Sequence, residues 1–168
     1  MGLPPVAAGL LVAMLLWRSG PLGFLDIMYA PAAMVVAQVI IASPIIAGIT
    51  LAAVTQVNPK LKEQALSLGA GRFQIFYTIL KEAKLPALAA VMAGFGGIIS
   101  EVGAVLMVGG NIKGQTRVLT TATVQMVRMG EFTVAIALVT ILLLLTFTVN
   151  LVLTLIQQKE DIRWFSKS

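Results

Sequence analysis

The sequence predicts an all-α membrane protein, on the basis of its composition and of its long apolar segments. Hydrophobic residues make up 58% of the 168 residues and charged residues only 11%, whereas soluble domains are roughly 45–50% apolar and about 25% charged. A soluble fold of this size would leave too much apolar surface in contact with water. Several apolar runs also approach or exceed the length of about 20 residues that a transmembrane helix needs.

The residue types that are missing exclude several kinds of chemistry. The sequence contains no cysteine and no histidine, which excludes disulfides, thiol nucleophiles, histidine acid–base catalysis and Cys/His zinc sites. The net charge is +5, but the basic residues mostly lie between apolar runs, as topology determinants do. We therefore expect no catalytic residue, no metal, no cofactor and no nucleic-acid partner.

Four apolar segments are predicted to lie in the membrane, at residues 3–17, 30–54, 85–110 and 132–156. The last contains no charged residue, and the third contains a single one, Glu101. The second includes Pro44, which removes a helical hydrogen bond and is tolerated where neighbouring helices satisfy the freed carbonyl. The first is short and ends at Trp17-Arg18, without the basic leader or cleavage site of a signal peptide. We expect it to be the end of a longer span, in an N-terminally shortened version of a longer protein.

The distribution of Lys and Arg predicts the orientation, because cytoplasmic segments carry an excess of basic residues. The loop at 55–84 and the C-terminal tail together carry eight: Lys60, Lys62, Arg72, Lys81, Lys84, Lys159, Arg163 and Lys167. The opposite side carries four: Arg18, Lys113, Arg117 and Arg128. We therefore expect the loop and the C-terminus to be cytoplasmic.

The 55–84 loop is predicted to form two short amphipathic helices. Asn58 is a plausible N-cap with Pro59 at the first helical position, and Gly69-Ala70-Gly71 ends the first helix. Apolar residues recur at helical spacing on both sides of this break, at Leu61, Ala65 and Leu68 and then at Phe73, Phe76, Tyr77 and Leu80. By shape alone, such helices either lie on the bilayer surface or dock a soluble partner.

The residues of this loop resemble a known family. Glu63-Gln64-Ala65, followed by Gly69 and then by Leu85-Pro86, is similar to the Glu-Ala-Ala…Gly…Leu-Pro loop of permease subunits of ABC importers. The resemblance implies coupling helices that seat in a groove of a cytoplasmic ATPase, with Glu63, Ala65, Gly69, Leu85 and Pro86 as the coupling residues. Gln64 departs from the family pattern, and the interval to Leu85 is longer by about one helical turn.

The third predicted span carries a second set of candidate residues. Gly94, Gly97, Glu101 and Gly103 fall roughly at helical spacing and form a small-residue surface. A carboxylate within a span is costly and therefore a functional candidate. Two interpretations of Glu101 stay open: it is a buried structural group, or it lines a pathway, in which its charge would repel an anion.

This segment resembles a narrower family. Ser100-Glu101-Val102-Gly103-Ala104, then Gly109-Gly110-Asn111-Ile112, then Thr116–Thr121, is similar to permeases of molybdate, tungstate and sulfate importers, and most to those of the tungstate type. The resemblance implies a type I ABC importer permease fold in the plasma (inner) membrane, a homodimer, a pair of ATPase subunits and an external binding protein. It makes Ser100, Glu101 and Gly103 candidates for translocation or gating.

Other interpretations accompany this one. Molybdate or sulfate is an alternative cargo, and a non-transporting membrane scaffold is an alternative class of function. A single intramembrane ionisable residue argues against a secondary transporter. The external stretch 113–129 is either a re-entrant or surface helix or a solvated loop, and its basic residues would attract an anion or an acidic binding protein.

Overall fold

Helices make up nearly all the regular structure of the chain. The structure, a computed structural model, describes the backbone of residues 4–165 and the side chains of residues 4–158. The all-α fold class is confirmed in this part of the chain. In order, the helices are α1 (Pro5–Leu16), a 3-10 turn (Gly23–Leu25), α2 (Pro31–Thr55), α3 (Pro59–Ser67), α4 (Arg72–Glu82), α5 (Lys84–Ile99), α6 (Gly103–Gly109), α7 (Leu119–Arg128) and α8 (Phe132–Phe165).

Two of the described helices are long and apolar enough to cross a membrane, α2 and the Phe132–Gln158 part of α8. Helices α4 and α5 meet at an angle of 63° and together pass the same test as one bent span. The predicted spans 30–54 and 132–156 lie on α2 and α8, and α2 continues through Pro44. Helix α1 has only 12 residues, and the predicted span 3–17 begins one residue outside the described part of the chain.

The predicted span at 85–110 is not one helix in the structure. Helix α5 ends at Ile99 and α6 begins at Gly103. At the break, the Glu101 Oε1 atom accepts a hydrogen bond of 3.0 Å from the backbone N–H of Ala104, so a side chain replaces a backbone carbonyl as the acceptor for the first turn of α6. The apolar pattern cannot predict this break, because apolar residues continue on both sides of it.

The core lies where α1, α2 and α6 meet. Its largest buried members are Val12 and Leu16 of α1, Met34 of α2, and Val105 and Val108 of α6. Alanines of the three helices, among them Ala8, Ala33, Ala37 and Ala104, are completely buried between them. Small residues at such contacts allow helix backbones to approach closely, which is the main source of packing energy between helices in a membrane.

Helix α5 packs against α2 through one of the glycines of the predicted small-residue surface. A Cβ atom at Gly94 would lie 2.6 Å from Cγ1 and 2.8 Å from Cδ1 of Ile46. Gly94 therefore occupies a position at which any larger residue would force Ile46 to move. A Cβ atom at Gly97 would lie at an ordinary distance of 3.6 Å from Ile45, so the second glycine is under a weaker constraint.

A hydrogen-bonded hairpin joins α6 to α7. The Thr116 side chain is buried, and its hydroxyl donates to the Gly109 carbonyl and accepts from the Ile112 N–H at 2.9 Å. The Asn111 side-chain amide donates to Gln125 Oε1 of α7 at 2.7 Å. Residues 113–129 were predicted to form either a helix or a solvated loop, and the structure has a helix over Leu119–Arg128.

Candidate functional site

The two helices of the 55–84 loop form an elbow, which we define as residues 58–82. Helix α3 begins as predicted, because the Asn58 Oδ1 atom accepts from the Lys60 N–H at 3.0 Å and Pro59 occupies the first helical position. Proline costs nothing there, since the N–H that it lacks would have no helical acceptor.

Gly69 ends α3 in a Schellman motif. Its φ of +76° lies in the left-handed region. The Gly69 N–H donates to the Leu66 carbonyl and the Ala70 N–H donates to the Ala65 carbonyl, both at 2.9 Å. These are the two bonds that define the motif. Glycine is required here for its backbone conformation alone, because an added Cβ atom would meet nothing within 4 Å.

Helix α4 starts immediately after this turn and leads into α5. The Gly71 N–H donates to Gln74 Oε1 at 2.9 Å, which holds the first turn of α4. Ala83, which is buried, joins α4 to α5. Leu85 is half-buried and Pro86 exposed within the first turn of α5, where proline is tolerated.

The elbow leaves most of its apolar surface uncovered. Phe73 is 91% exposed, Phe76 64% and Tyr77 68%; we call these three residues the aromatic face. Ile75 is instead the buried residue of α4. Glu63 is exposed on α3 and Ala65 is half-buried. A soluble surface rarely presents such a cluster unless another molecule or a membrane covers it.

A second candidate site is an open pocket of about 630 Å³ among α2, α5, α7 and α8, which we call the cavity. It is lined by Gln38, Ile98, Ile99, Glu101, Gly114, Arg117, Val118, Leu119, Thr120, Ala122, Leu142 and Leu145. Of the three residues predicted for translocation or gating, Glu101 lines this cavity. Ser100 is exposed and its hydroxyl donates to the Gly96 and Gly97 carbonyls. A Cβ atom at Gly103 would lie 3.3 Å from Glu101 Oε1, so a larger residue at this position would crowd the Glu101 cap.

Glu101 combines a structural contact with a place in the cavity wall. Its Oε1 atom holds the first turn of α6 through the Ala104 N–H, and the residue also lines the cavity. Both interpretations drawn from the sequence therefore have a structural basis, and the role of Glu101 stays a prediction.

Two polar residues of the cavity, Arg117 and Gln38, are not among the predicted site residues. The Arg117 Nη2 atom donates a long hydrogen bond of 3.5 Å to the Asn111 carbonyl, and its Nε atom is buried with no partner among the described residues. In the sequence, Arg117 is an external basic residue and part of the Thr116–Thr121 segment that carries the family resemblance, and neither observation places it in a cavity. No local signal could place Gln38 beside it, because α2 and α7 are far apart along the chain. No three acidic side chains of the described residues lie close enough together to hold a metal ion.

Comparison with known proteins identifies the family. The model of the binding-protein-dependent transport system inner membrane component matches residues 1–161. The chain belongs to this family. It is therefore a multi-pass inner-membrane protein, and the resemblance to ABC importer permeases noted in the sequence is confirmed.

Individual relatives show which permeases of the family the chain is similar to. The chain is 40% identical over 159 residues to the tungstate uptake system permease protein TupB of Peptoclostridium acidaminophilum, covering 95% of this chain and 70% of that protein. It is 41% identical over 155 residues to a probable anion ABC transporter permease protein of Haloferax volcanii, covering 89% and 67%. It is 32% identical over 152 residues to TupB of Campylobacter jejuni, covering 90% and 64%. The chain thus spans about two thirds of the length of these relatives.

Proposed function

We propose that the protein is the transmembrane permease subunit of an ATP-driven importer that moves an oxyanion, tungstate first, from an external binding protein to the cytoplasm. The choice of cargo rests on the tungstate and anion permeases to which the chain is similar along most of its length. The mechanism rests on one observation, the elbow with its uncovered aromatic face in a chain of this family.

The elbow is suited to pass a movement of its docked partner to the membrane helices. The Schellman motif at Gly69 and the Gln74 cap hold α3 and α4 at a set angle. Helix α4 joins α5 at the buried Ala83 with a bend of 63°, and the far end of α5 lines the cavity with Ile98 and Ile99. A partner that pulls on the aromatic face therefore moves a cavity wall as a rigid body, in the manner of other switching transitions.

The partner that fits the aromatic face is the ATPase of the importer. Burial of a Phe-sized side chain contributes about 1.5–3 kcal/mol, so the three residues together contribute to docking of a soluble subunit, and further contacts offset the cost of association. The chain has no Gly-x-x-x-x-Gly-Lys-Ser/Thr loop with which to bind ATP phosphates. Hydrolysis is then the work of the partner, and this subunit is not an enzyme.

The proposed function also implies the membrane orientation of the chain and its assembly with other subunits. The elbow, with Lys60, Lys62 and Arg72 at its surface, lies on the cytoplasmic side together with the C-terminus. The binding protein docks on the opposite side, where the α6–α7 hairpin lies. Two copies of the chain enclose the pathway, and α8, whose apolar side chains are largely exposed, contacts lipid or the second copy.

The test uses the whole transporter, with its ATPase and binding protein, in proteoliposomes. We expect ATP-dependent uptake of tungstate, inhibited most strongly by unlabelled tungstate and less by molybdate or sulfate. Stronger competition by molybdate or sulfate would reassign the cargo within the group. Absence of any ATP-dependent oxyanion uptake, in a complex that assembles, would overturn the proposal and favour the scaffold.

The coupling step is tested by a matched pair of variants. Phe73→Ser removes an aromatic side chain that is 91% exposed and should weaken co-purification of the ATPase without changing thermal stability. Val127→Ser makes a similar apolar-to-polar change at an exposed position of α7, away from the elbow, and should leave co-purification unchanged. Equal ATPase recovery with both variants would refute docking through the aromatic face.

A further inference from the structure

We propose that the cavity among α2, α5, α7 and α8 is a transit site for the oxyanion, in which the Arg117 guanidinium donates two hydrogen bonds to the oxygens of the cargo. This inference rests on the proposed function. It adds a binding site on this chain that neither the family match nor the names of the relatives assign.

The hydrogen-bonding state of Arg117 is the main evidence. A guanidinium carries five N–H donors, yet its Nε atom is buried without a partner among the described residues and its one bond, to the Asn111 carbonyl, is 3.5 Å long. Buried polar groups without partners are uncommon and costly. Arg117 also lines the cavity, and an arginine side chain donates pairs of hydrogen bonds to the oxygens of phosphate and carboxylate groups.

The cavity is large enough for a hydrated anion, and its mainly apolar lining includes a few polar groups. Its volume of about 630 Å³ exceeds the space of an anion with four oxygens, on the order of 100 Å³ if each oxygen takes the volume of one water. The cargo therefore keeps part of its water shell. Gln38 adds an amide from α2, and Leu119 and Thr120, the first residues of α7, also line the cavity, so the positive end of that helix dipole favours an anion.

Glu101 is the other charged residue of the lining. Its carboxylate opposes the charge of Arg117 and repels an anion, so the cavity as a whole does not trap the cargo. A conduit needs this balance, because a site in a pathway must bind well enough for entry and weakly enough for release. The binding protein outside supplies the high-affinity step.

The test compares Arg117→Gln and Arg117→Lys with Arg128→Gln in the reconstituted transporter, with tungstate as the cargo. Arg128 is exposed at the other end of α7 and does not line the cavity, so its variant is a control for the general positive charge of this side. We expect Arg117→Gln to lower the uptake rate about tenfold or more, with ATP hydrolysis stimulated by the loaded binding protein retained. Arg117→Lys should keep part of the rate, and Arg128→Gln should match the wild type.

Each outcome decides one question. If the wild-type complex transports tungstate, an unchanged rate in Arg117→Gln refutes the site, and so do equal losses in Arg117→Gln and Arg128→Gln. Either result leaves the proposed function unaffected. No transport by the wild-type complex refutes the proposed function itself. If Arg117→Gln fails to assemble, Gln38→Leu decides: a lower uptake rate with ATP hydrolysis retained supports the site, and a wild-type uptake rate refutes it.

Discussion

Replacing Gly69 by alanine tests whether the angle of the elbow depends on one backbone conformation. The φ of Gly69 is +76°, and an L-residue pays about 1–2 kcal/mol to adopt this region. Because an added Cβ atom meets nothing within 4 Å, no packing term adds to or offsets this cost. A change of 1–2 kcal/mol shifts a local equilibrium by a factor of about 5–30. The Gly69→Ala elbow should be open that much more often than the native one.

Gly71 provides the matched control two residues away. Its φ is −71°, which any residue adopts, and a Cβ atom there approaches only the Gln74 Oε1 atom, at 3.9 Å. Gly71→Ala therefore makes the same chemical change in the same loop without the strain. Gly69→Asn should fall between the two alanine variants, since asparagine tolerates the left-handed region better than alanine does.

Two measurements follow the elbow directly. Hydrogen exchange at the Gly69 and Ala70 amides, which donate the two Schellman bonds, should accelerate about 5–30-fold in Gly69→Ala and stay unchanged at Ala70 in Gly71→Ala. The Kd of the ATPase for the permease should rise in the same order. Equal exchange rates and equal Kd values for the two alanine variants would refute the conformational explanation of Gly69.

Three further predictions concern the membrane part of the chain. Gly94→Ala should destabilise the protein in detergent by about 1–3 kcal/mol, because the added methyl group clashes with α2. Gly96→Ala should not change the stability, because its Cβ atom meets nothing within 4 Å. Equal melting temperatures for the two variants would contradict this packing. Thr116→Val should cost about 1–3 kcal/mol because it leaves buried hairpin groups unpaired, whereas the exposed Thr140→Val should change little in the same thermal unfolding assay. Glu101→Ala should cost about 1 kcal/mol as a lost helix cap and Glu101→Gln should keep most of that stability; a transport defect in a fully stable Glu101→Gln would show a role in the pathway.

The helix ends of the elbow could be predicted because their determinants are local. Asn58 with Pro59, and Gly69 at the end of α3, act within a few residues of their own positions. The aromatic face was also visible as a helical repeat. Its exposure was not, because a repeat of apolar residues shows which side of a helix they share and not what covers that side.

The local sequence could not predict the helix break at Ser100–Val102 or the set of residues that line the cavity. A carboxylate in an apolar run indicates a functional or a buried structural residue, and only the coordinates show that Glu101 caps α6. Arg117 is a candidate site residue because the fold brings the segment before α7 to the same cavity as Gln38 of α2 and Ile98 and Ile99 of α5.

The sequence alone established that this is an all-helical membrane protein with a two-helix elbow, because hydropathy, helix caps and turn glycines depend on composition and on neighbours along the chain. The tertiary structure decided which polar groups share a cavity, which glycines must stay small and where the third predicted span divides. These features depend on contacts between distant segments, and hydrophobic periodicity contains no information about which helices pack together.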